Sequence, residues 1–274
     1  MPPASDLARS WAALPTGARV ALEEQWAGLA AGGLPCGSAV IDTSGGGVAS
    51  GRNHAYDPAG GIATRARYPL QHNRLAHAEL NALARLPTET DHATLTLWTT
   101  QHPCSMCAAA LAFVGVGQVR FIADDPSDHA PPERIAASRA GVPYHTLGDP
   151  VWWTVSNLLF LYNAAVLAGE HARNLGRNRD RYPELVHLTL DLARRDALGG
   201  PARSGTALPV ALGAQYPAVA RWAEYRTPSR PAAPPVTLTV PRRGYHPDRP
   251  SGRTARPGRG GHRAHGRRLT AALE

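Results

Sequence analysis

Two short motifs hold four residues that could form a hydrolytic metal site. His77 and Glu79 belong to H-A-E, and Cys104 and Cys107 belong to P-C-S-M-C. One imidazole and two thiolates are a ligand set that Zn²⁺ accepts, with its fourth tetrahedral position left for water. Two cysteines three residues apart project from one helix face, and the helix dipole favours thiolates in the first turn. The pattern predicts one zinc ion per chain, with Glu79 as a carboxylate that moves protons of zinc-bound water.

Each motif alone has other interpretations. H-x-E occurs on ordinary helix surfaces, and C-x-x-C is also typical of redox pairs and of structural zinc sites. A redox site would leave His77 without a role. The two motifs occur in this order, each at the start of a predicted helix, with a predicted strand between them. That arrangement favours a hydrolytic zinc site over either alternative.

The elements that must position these motifs alternate between helix and strand. Asp6 is a plausible N-cap for a first helix, which breaks near Pro15 to Gly17 and ends at Gly32 and Gly33. The period of the apolar residues and the turn residues then predict strands at 36–42 and 48–53, a helix at 75–86, a strand at 93–100, a helix at 104–114, a strand at 118–123, a helix at 131–140 and a strand at 142–147. This order predicts the α/β class, with a mixed five-stranded sheet flanked by helices.

The sheet domain is expected to fill 1–150, and 151–225 reads as a helical extension. Its predicted helices cover 151–170, 182–197 and 207–225. The first of them is rich in large apolar side chains, among them Trp152, Trp153 and the run 158–161. These side chains must be buried, either on the sheet domain or in a dimer interface.

The positive charge of the chain is concentrated after residue 225. Between Arg226 and Arg268 there are 11 arginines and one acid, Asp248, which give this segment a charge of +10. The rest of the chain carries −2, so that the formal net charge of the whole chain is +8. It also contains 8 Pro and 6 Gly, a composition that predicts a disordered tail over 226–274. Such a tail can attract nucleic acid through phosphate electrostatics, but the simpler interpretation is a solvated segment of no specific function.

Five runs of residues around these motifs resemble one known family. CGSAVID, GRNH, HAELNAL, PCSMCAAAL and VRFIADDP are similar to the zinc-dependent cytidine deaminase superfamily, in particular to its branch of tRNA adenosine, guanine and related nucleobase or nucleoside deaminases. The resemblance extends over about 18–148. It implies a three-layer α/β/α sandwich and says nothing about the extension or the tail.

The resemblance also implies the roles of the motif residues. His77, Cys104 and Cys107 would be the zinc ligands. Glu79 would take a proton from zinc-bound water, the resulting hydroxide would attack the amine-bearing ring carbon, and Glu79 would pass protons to the ring nitrogen and the departing amine. Ammonia is the co-product of this reaction.

Substrate contacts implied by the resemblance come from several further positions. Asn53 would hydrogen-bond the substrate, unless it only closes a turn, and the backbone N–H groups of Ala78 and Cys104 would line the pocket. His102 replaces a frequent glutamate of the family and would face either the pocket mouth or solvent. Asp124 and Asp125 match an acidic pair that would touch substrate or only end a strand.

The remaining cysteine and three histidines are not expected to belong to the site. Cys36 is isolated among apolar strand positions and is predicted to be a small core residue. His54, His72 and His129 have no partner at metal-ligand spacing, so a surface position is expected for each.

The leading function is therefore deamination of a free nucleobase, nucleoside or nucleotide. A tRNA adenosine deaminase is the second hypothesis, but the −2 balance outside the tail shows no basic footprint for RNA. A third is an inactive zinc scaffold whose extension or tail binds a partner. The resemblance implies a homodimer, with added contacts expected at the start of the extension. The start of the chain shows no secretion signal and no run of 18 apolar residues occurs, so a cytoplasmic protein is expected.

Overall fold

Two helices precede the sheet in the computed structural model, which describes residues 3–58, 69–124 and 141–225. Helix α1 is Pro3–Ala13 and α2 is Thr16–Ala30. The break at Pro15 is as predicted, because proline has no N–H to donate within a continuous helix. Asp6 lies in the first turn of α1 rather than before it, so its predicted N-cap position was wrong.

Five strands form one mixed sheet, which confirms the predicted fold class. They are β1 Gly37–Ile41, β2 Gly47–Arg52, β3 Thr96–Gln101, β4 Gln118–Ala123 and β5 Tyr144–Thr146, in the spatial order β2-β1-β3-β4-β5. The pairs β1–β2 and β1–β3 are antiparallel, whereas β3–β4 and β4–β5 are parallel. Helix α3, Ala78–Leu83, precedes β3, and helix α4, Ser105–Val114, connects β3 to β4. Because β1 is antiparallel to both β2 and β3, these two strands run in the same direction. The starts of α3 and α4, which follow them in the chain, therefore lie at one edge of the sheet.

Local side-chain hydrogen bonds shorten two of the predicted elements. The predicted helix at 75–86 is reduced to α3 because the Asn73 carboxamide accepts the Leu75 N–H and holds the preceding residues in a turn. The predicted strand at 93–100 begins only at Thr96, because the Asp91 side chain accepts the Ala93 N–H and stabilises a 3₁₀ turn at His92–Thr94. The predicted helix at 131–140 and the predicted disordered tail at 226–274 lie outside the described residues.

Six helices follow the sheet in the described part of the chain. They are α5 Pro150–Ala168, α6 Arg173–Arg179, α7 Pro183–Arg194, α8 Gly199–Arg203, α9 Leu208–Gly213 and α10 Tyr216–Tyr225. Asp149 caps α5 by accepting the N–H groups of Val151 and Trp152. The single helix predicted over 207–225 is two helices, because Pro217 cannot donate to a carbonyl of the preceding turn.

Helix α5 is the core element that joins these helices to the sheet. Trp152, Leu158 and Leu161 have no exposed surface, and they share one apolar cluster with Ile41 of β1 and Ile122 of β4. The apolar side chains are therefore buried within the chain, which is the first of the two predicted alternatives, and the homodimer with added contacts at the start of the extension stays a prediction. Length and composition would let this helix cross a membrane, but 72% of the apolar window is buried inside the protein, as in a core helix. The division into 1–150, 151–225 and 226–274 stays a prediction.

Three buried polar side chains fix α5 against α2 and the sheet. Gln25 of α2 donates to the Ser156 carbonyl, and the Ser156 hydroxyl donates to the Thr100 carbonyl of β3. Asn163 donates to the carbonyls of Leu29 and Gly33 at the end of α2. A buried carbonyl that loses its partner costs about 1–3 kcal/mol. These contacts therefore hold α5 in one position against α2 and the sheet. Apolar packing alone would not fix that position, because it is not directional.

Gly51 sets how closely β2 approaches α3, the helix that carries the H-A-E motif. A Cβ at Gly51 would lie 2.7 Å from the Ala82 nitrogen and 2.8 Å from the Ala78 oxygen, and backbone atoms cannot rotate away. Gly51→Ala is therefore expected to lower the free energy of unfolding by about 2 kcal/mol, as measured by urea denaturation. Gly47→Ala on the same strand is the control, because no atom lies within 4 Å of that Cβ. Equal stabilities of the two variants would contradict this account.

Candidate active site

The three predicted metal ligands come together at the starts of α3 and α4. His77 is the N-cap residue of α3 and Cys104 is the N-cap residue of α4, both in extended conformation, and Cys107 lies in the first turn of α4. The His77 Nδ1 atom is 3.6 Å from the Cys104 sulfur and 3.5 Å from the Cys107 sulfur. The three ligand atoms all lie within 4.8 Å of one another. The structure thus joins residues that are separated by a whole strand in the chain.

These separations can be compared with those that a zinc ion would impose. With Zn–S near 2.3 Å and Zn–N near 2.0–2.1 Å, tetrahedral angles place a ligand sulfur and a ligand nitrogen about 3.6 Å apart. The observed distances of 3.6 and 3.5 Å agree with that value. The donor set also fits, because two thiolates neutralise a divalent ion and the imidazole is a common zinc ligand. His77, Cys104 and Cys107 would therefore hold zinc and leave one coordination position open.

The pKa values of the two ligand thiols, Cys104 and Cys107, are shifted in opposite directions. A hydrogen bond from Cys107, helped by His77, lowers the pKa of Cys104 to about 4 despite its partial burial. The same hydrogen bond, together with burial, raises the pKa of Cys107 well above its usual value. One thiolate thus forms readily while the other sulfur retains its proton. A bound divalent cation would take the place of that proton, because metal ligation requires the thiolate.

Glu79 is the buried carboxylate beside the ligand cluster. It is only 6% exposed, its Oε1 accepts a hydrogen bond from the Thr99 hydroxyl at 3.3 Å, and its Oε2 lies 3.4 Å from the Cys107 sulfur. Burial, and then the negative charge of Cys104, raise the pKa of Glu79. A carboxyl group with a raised pKa can both accept and return a proton near neutral pH. The placement fits the predicted proton carrier.

Asn53 lies at the end of β2 and faces the same cavity as Glu79. Its backbone N–H donates to the Cys36 carbonyl, and its side-chain oxygen accepts the Ala55 N–H at 2.9 Å. The side chain is 2% exposed and lines the cavity. Because the oxygen is used by the turn, the amide NH₂ is the group that remains to donate to a ligand. Asn53 thus both closes the turn and lines the site.

The loop after Asn53 is held by a buried ionic cluster. Both terminal nitrogens of Arg52 donate to the Asp57 carboxylate at 2.9 Å, and His54 Nδ1 lies 2.7 Å from Asp57 Oδ2. His54 is 1% exposed, so its predicted surface position was wrong. Sequence reasoning missed the burial of His54 because it considered only partners at metal-ligand spacing. The partner in the structure is Asp57, three residues along the chain. His72 is exposed as predicted, and His129 lies outside the described residues.

Asp57 makes stability depend on acid pH. Burial opposes its ionisation, but the hydrogen bonds from His54 and Arg52 prevail and lower its pKa from 3.8 to about 2. A depressed carboxyl pKa stabilises the fold above pH ~4, and the contribution, about 2 kcal/mol, disappears as the pH falls from about 4 to 2. Asp57→Asn is therefore expected to be less stable than the parent at pH 6, with a difference that narrows towards pH 2 in denaturant titrations of the zinc-free proteins. A difference that stays constant over this range would contradict the assignment.

The other residues predicted to contact substrate do not all line the cavity. His102 is 8% exposed and lines the cavity, with its ring near Phe121 and stacked on Tyr144 at 5.4 Å, so it faces the pocket and not solvent. Ala78 is buried in the first turn of α3. Asp124 is exposed after β4 and is not part of the described cavity lining, and Asp125 lies outside the described residues. The substrate contacts predicted for these four residues stay predictions. Cys36 is buried in the core as predicted, and it also lines the cavity.

A cavity of about 490 Å³ opens above the ligand cluster. On one side it is lined by His77, Glu79, Cys104, His102, Gln101 and Asn53. On the other side the lining comes from the helices after residue 150, with Phe160, Ala164 and Leu167 of α5 and Arg173, Asn174 and Arg177 of α6. Sequence reasoning missed this second wall. The only signal was the four-residue spacing of Arg173 and Arg177, which is not distinctive in a chain that has no lysine and many arginines.

The fold and the His-Cys-Cys cluster with its buried glutamate define a cytidine deaminase-like zinc domain. Residues 16–123 match the family model described as the cytidine and deoxycytidylate deaminase zinc-binding region, so this segment of the chain is similar to that family. The predicted family resemblance is confirmed for this segment, and the three predicted ligands lie close enough together to hold a zinc ion. Helices α5 to α10 lie beyond the matched segment.

Individual relatives cover only part of the chain. A cytosine deaminase of Candida albicans is 30% identical over 106 residues, which are 38% of this chain and 61% of the relative. The chain thus spans less than two thirds of that protein. Among solved structures, a guanine deaminase from Nitrosomonas europaea is 25% identical and has a TM-score of 0.42, with 56% of this chain and 86% of that chain covered. A chain from a study of A-to-I editing by tRNA:A34 deaminases is 22% identical with a TM-score of 0.37, covering 51% and 95%.

Proposed function

We propose that the protein is a zinc-dependent aminohydrolase that deaminates a nucleobase, nucleoside or nucleotide. The observation that carries the proposal is Glu79, a buried carboxyl group placed between the zinc ligands and a cavity of ligand size. A structural zinc site needs four protein ligands and no adjacent carboxylate. Three ligands with an acid–base group beside them are the pattern of a hydrolytic site.

Glu79 supplies the proton transfers of the proposed reaction. When bound, zinc would act as a Lewis acid that lowers the pKa of a water molecule. One Glu79 oxygen accepts a proton from the attacking water as its oxygen bonds to the amine-bearing ring carbon. The carboxyl group passes this proton to the ring nitrogen. It then accepts the second proton from the hydroxyl now bonded to the ring carbon and donates it to the amine as the carbon–nitrogen bond breaks, so that ammonia leaves and a carbonyl forms. The hydrogen bond from Thr99 to Oε1 orients the carboxyl group for both transfers.

Two carboxamides in the cavity offer complementary contacts for the edge of a base. The Asn53 NH₂ is a donor, as its oxygen is used by Ala55. The Ser156 hydroxyl donates its only hydrogen to Thr100, so Gln101 must donate to Ser156 through its NH₂, which leaves Gln101 Oε1 as an acceptor. That oxygen is buried without a hydrogen-bond partner in the described part of the chain. A base edge that presents both an acceptor and a donor would satisfy the two side chains.

Ammonia release by the zinc-loaded protein tests the proposal. The panel is adenine, guanine, cytosine, their nucleosides and 5′-monophosphates, and an adenosine-containing tRNA anticodon stem-loop, with the Glu79→Gln protein as the blank. Turnover of at least one small molecule that the blank does not match supports the proposal. Turnover of the stem-loop alone would instead identify an RNA deaminase, and release no higher than the blank throughout would favour an inactive zinc scaffold.

A further inference from the structure

The cavity wall formed by α6 carries two arginines. Arg173 and Arg177 are four residues apart and therefore project from one face of the helix. Both line the cavity that reaches His77, Glu79 and Cys104. Arg177 is half-buried and Arg173 is exposed. The part of the cavity lining that α6 supplies thus includes a pair of guanidinium groups.

Neither guanidinium has a carboxylate partner among the described residues. The ion pairs of the described chain that involve arginine use Arg9, Arg52, Arg194, Arg195 and Arg203. Glu79 is the only carboxylate in the described lining of the cavity, and it lies with the zinc ligands. Within the described residues no carboxylate therefore balances the charge of the α6 wall, whereas Arg52 is held by Asp57.

Helix α5 contributes an apolar strip to the lining of the same cavity. Phe160, Ala164 and Leu167 of α5 follow the i, i+4, i+7 spacing of one helix face and all line the cavity. Asn163 and Ser156 bond α5 to the end of α2 and to β3, so the strip has a fixed place relative to the ligand cluster. The lining of the cavity consequently combines a proton-transfer group, an apolar strip suited to a ring or sugar face, and two cationic groups.

We propose that Arg173 and Arg177 bind the phosphate of a nucleotide substrate, so that the protein deaminates a nucleoside monophosphate rather than a free base or nucleoside. Guanidinium groups match the geometry of phosphate oxygens through paired N–H donors. Among bases, nucleosides and nucleotides, only the nucleotide carries an anionic group that this wall can bind. This inference rests on the proposed deaminase function and names the substrate class of the same site.

The test compares a nucleoside 5′-monophosphate with its own nucleoside. For CMP, dCMP, AMP and GMP, kcat/KM for ammonia release is measured with each nucleotide and with the matching nucleoside. The variants are Arg173→Ala/Arg177→Ala and, as the matched control, Arg179→Ala. Arg179 lies on the same helix, is exposed, contacts the Glu170 carbonyl and does not line the cavity.

The parent protein is expected to prefer one nucleotide over its nucleoside. The double variant is expected to lose about 100-fold in kcat/KM for that nucleotide, since two charge-assisted hydrogen-bonding groups are removed. Its activity on the nucleoside should stay within about twofold of the parent, as should the control with both substrates. Equal use of nucleotide and nucleoside, an equal loss in the control, or turnover of the RNA stem-loop alone would overturn the inference while leaving deaminase activity in place.

Calorimetric binding separates the two proposals. The nucleotides and nucleosides are titrated into the zinc-loaded Glu79→Gln protein with and without the two arginines. Arginine-dependent binding of a nucleotide without turnover by the parent would uphold the phosphate site and overturn the deaminase proposal. Nucleotide affinity that does not change when both arginines are removed would overturn the phosphate site, whatever the activity.

Discussion

Glu79→Gln is expected to lower kcat by about 10²–10⁴-fold on whichever substrate the protein deaminates. The amide has the shape of the carboxyl group and can still accept from the Thr99 hydroxyl through its oxygen, but it cannot take a proton from water. Burial raises the pKa of Glu79, so an uncharged side chain is tolerated at this position and the fold should be retained. The loss should therefore be confined to the chemical step.

The measurement is single-turnover ammonia release, with zinc content and melting temperature recorded for each protein. Glu23→Gln is the control, because this substitution makes the same chemical change at an exposed position of α2. The control should match the parent protein in all three quantities. A Glu79→Gln protein that keeps more than a tenth of the parent rate would contradict the assigned proton transfers, and one that loses its zinc would show a structural rather than a chemical role.

Cys107→Ala is expected to abolish stoichiometric zinc binding and to remove the stabilisation that zinc confers. Cys107 is fully buried and supplies one of the three ligand atoms. A ligand that binds only the folded state stabilises it by RT ln(1 + [L]/Kd), about 4 kcal/mol when zinc exceeds its Kd a thousandfold. The parent should therefore lose several degrees of melting temperature on addition of a chelator, whereas the variant should melt at one temperature with or without it.

Cys36→Ala distinguishes loss of a ligand from loss of a buried sulfur. Cys36 is also buried and also reduced, but it belongs to the apolar core and not to the ligand cluster. This control should keep one zinc per chain by elemental analysis after gel filtration, and it should keep its response to the chelator. If Cys107→Ala retained zinc at the level of the control, the ligand assignment would be wrong.

The helices after residue 150 change what the site can accept. The family match ends at residue 123, and the matched segment supplies the ligand cluster, Glu79 and Asn53. The remaining wall of the cavity comes from α5 and α6. The substrate class is therefore expected to depend on residues outside the matched segment, which is why likeness within that segment does not decide it.

Much of the fold was already determined by local sequence. The alternation of apolar periods and turn residues is enough for a mixed sheet with helices between its strands, and strand β4 lies at 118–123 as expected. The errors are at element ends, where the side chains of Asn73 and Asp91 compete for backbone N–H groups. Such competition depends on single hydrogen bonds, and residue periodicity carries no information about them.

The ligand set could be read from the sequence because zinc chemistry restricts residue types and because each motif starts a helix. His77, Cys104 and Cys107 are specified by type and spacing. Strands β2 and β3 run in the same direction, so the helices that follow them start at one edge of the sheet. The buried ion pair of His54 with Asp57 and the arginine wall on α6 were decided only by tertiary structure. Packing of α5 against α2 and β3 places residues more than 100 positions apart around one cavity, as Asn53 and Phe160 show. No local sequence pattern indicates such contacts, because they depend on how the faces of elements distant in the chain pack together.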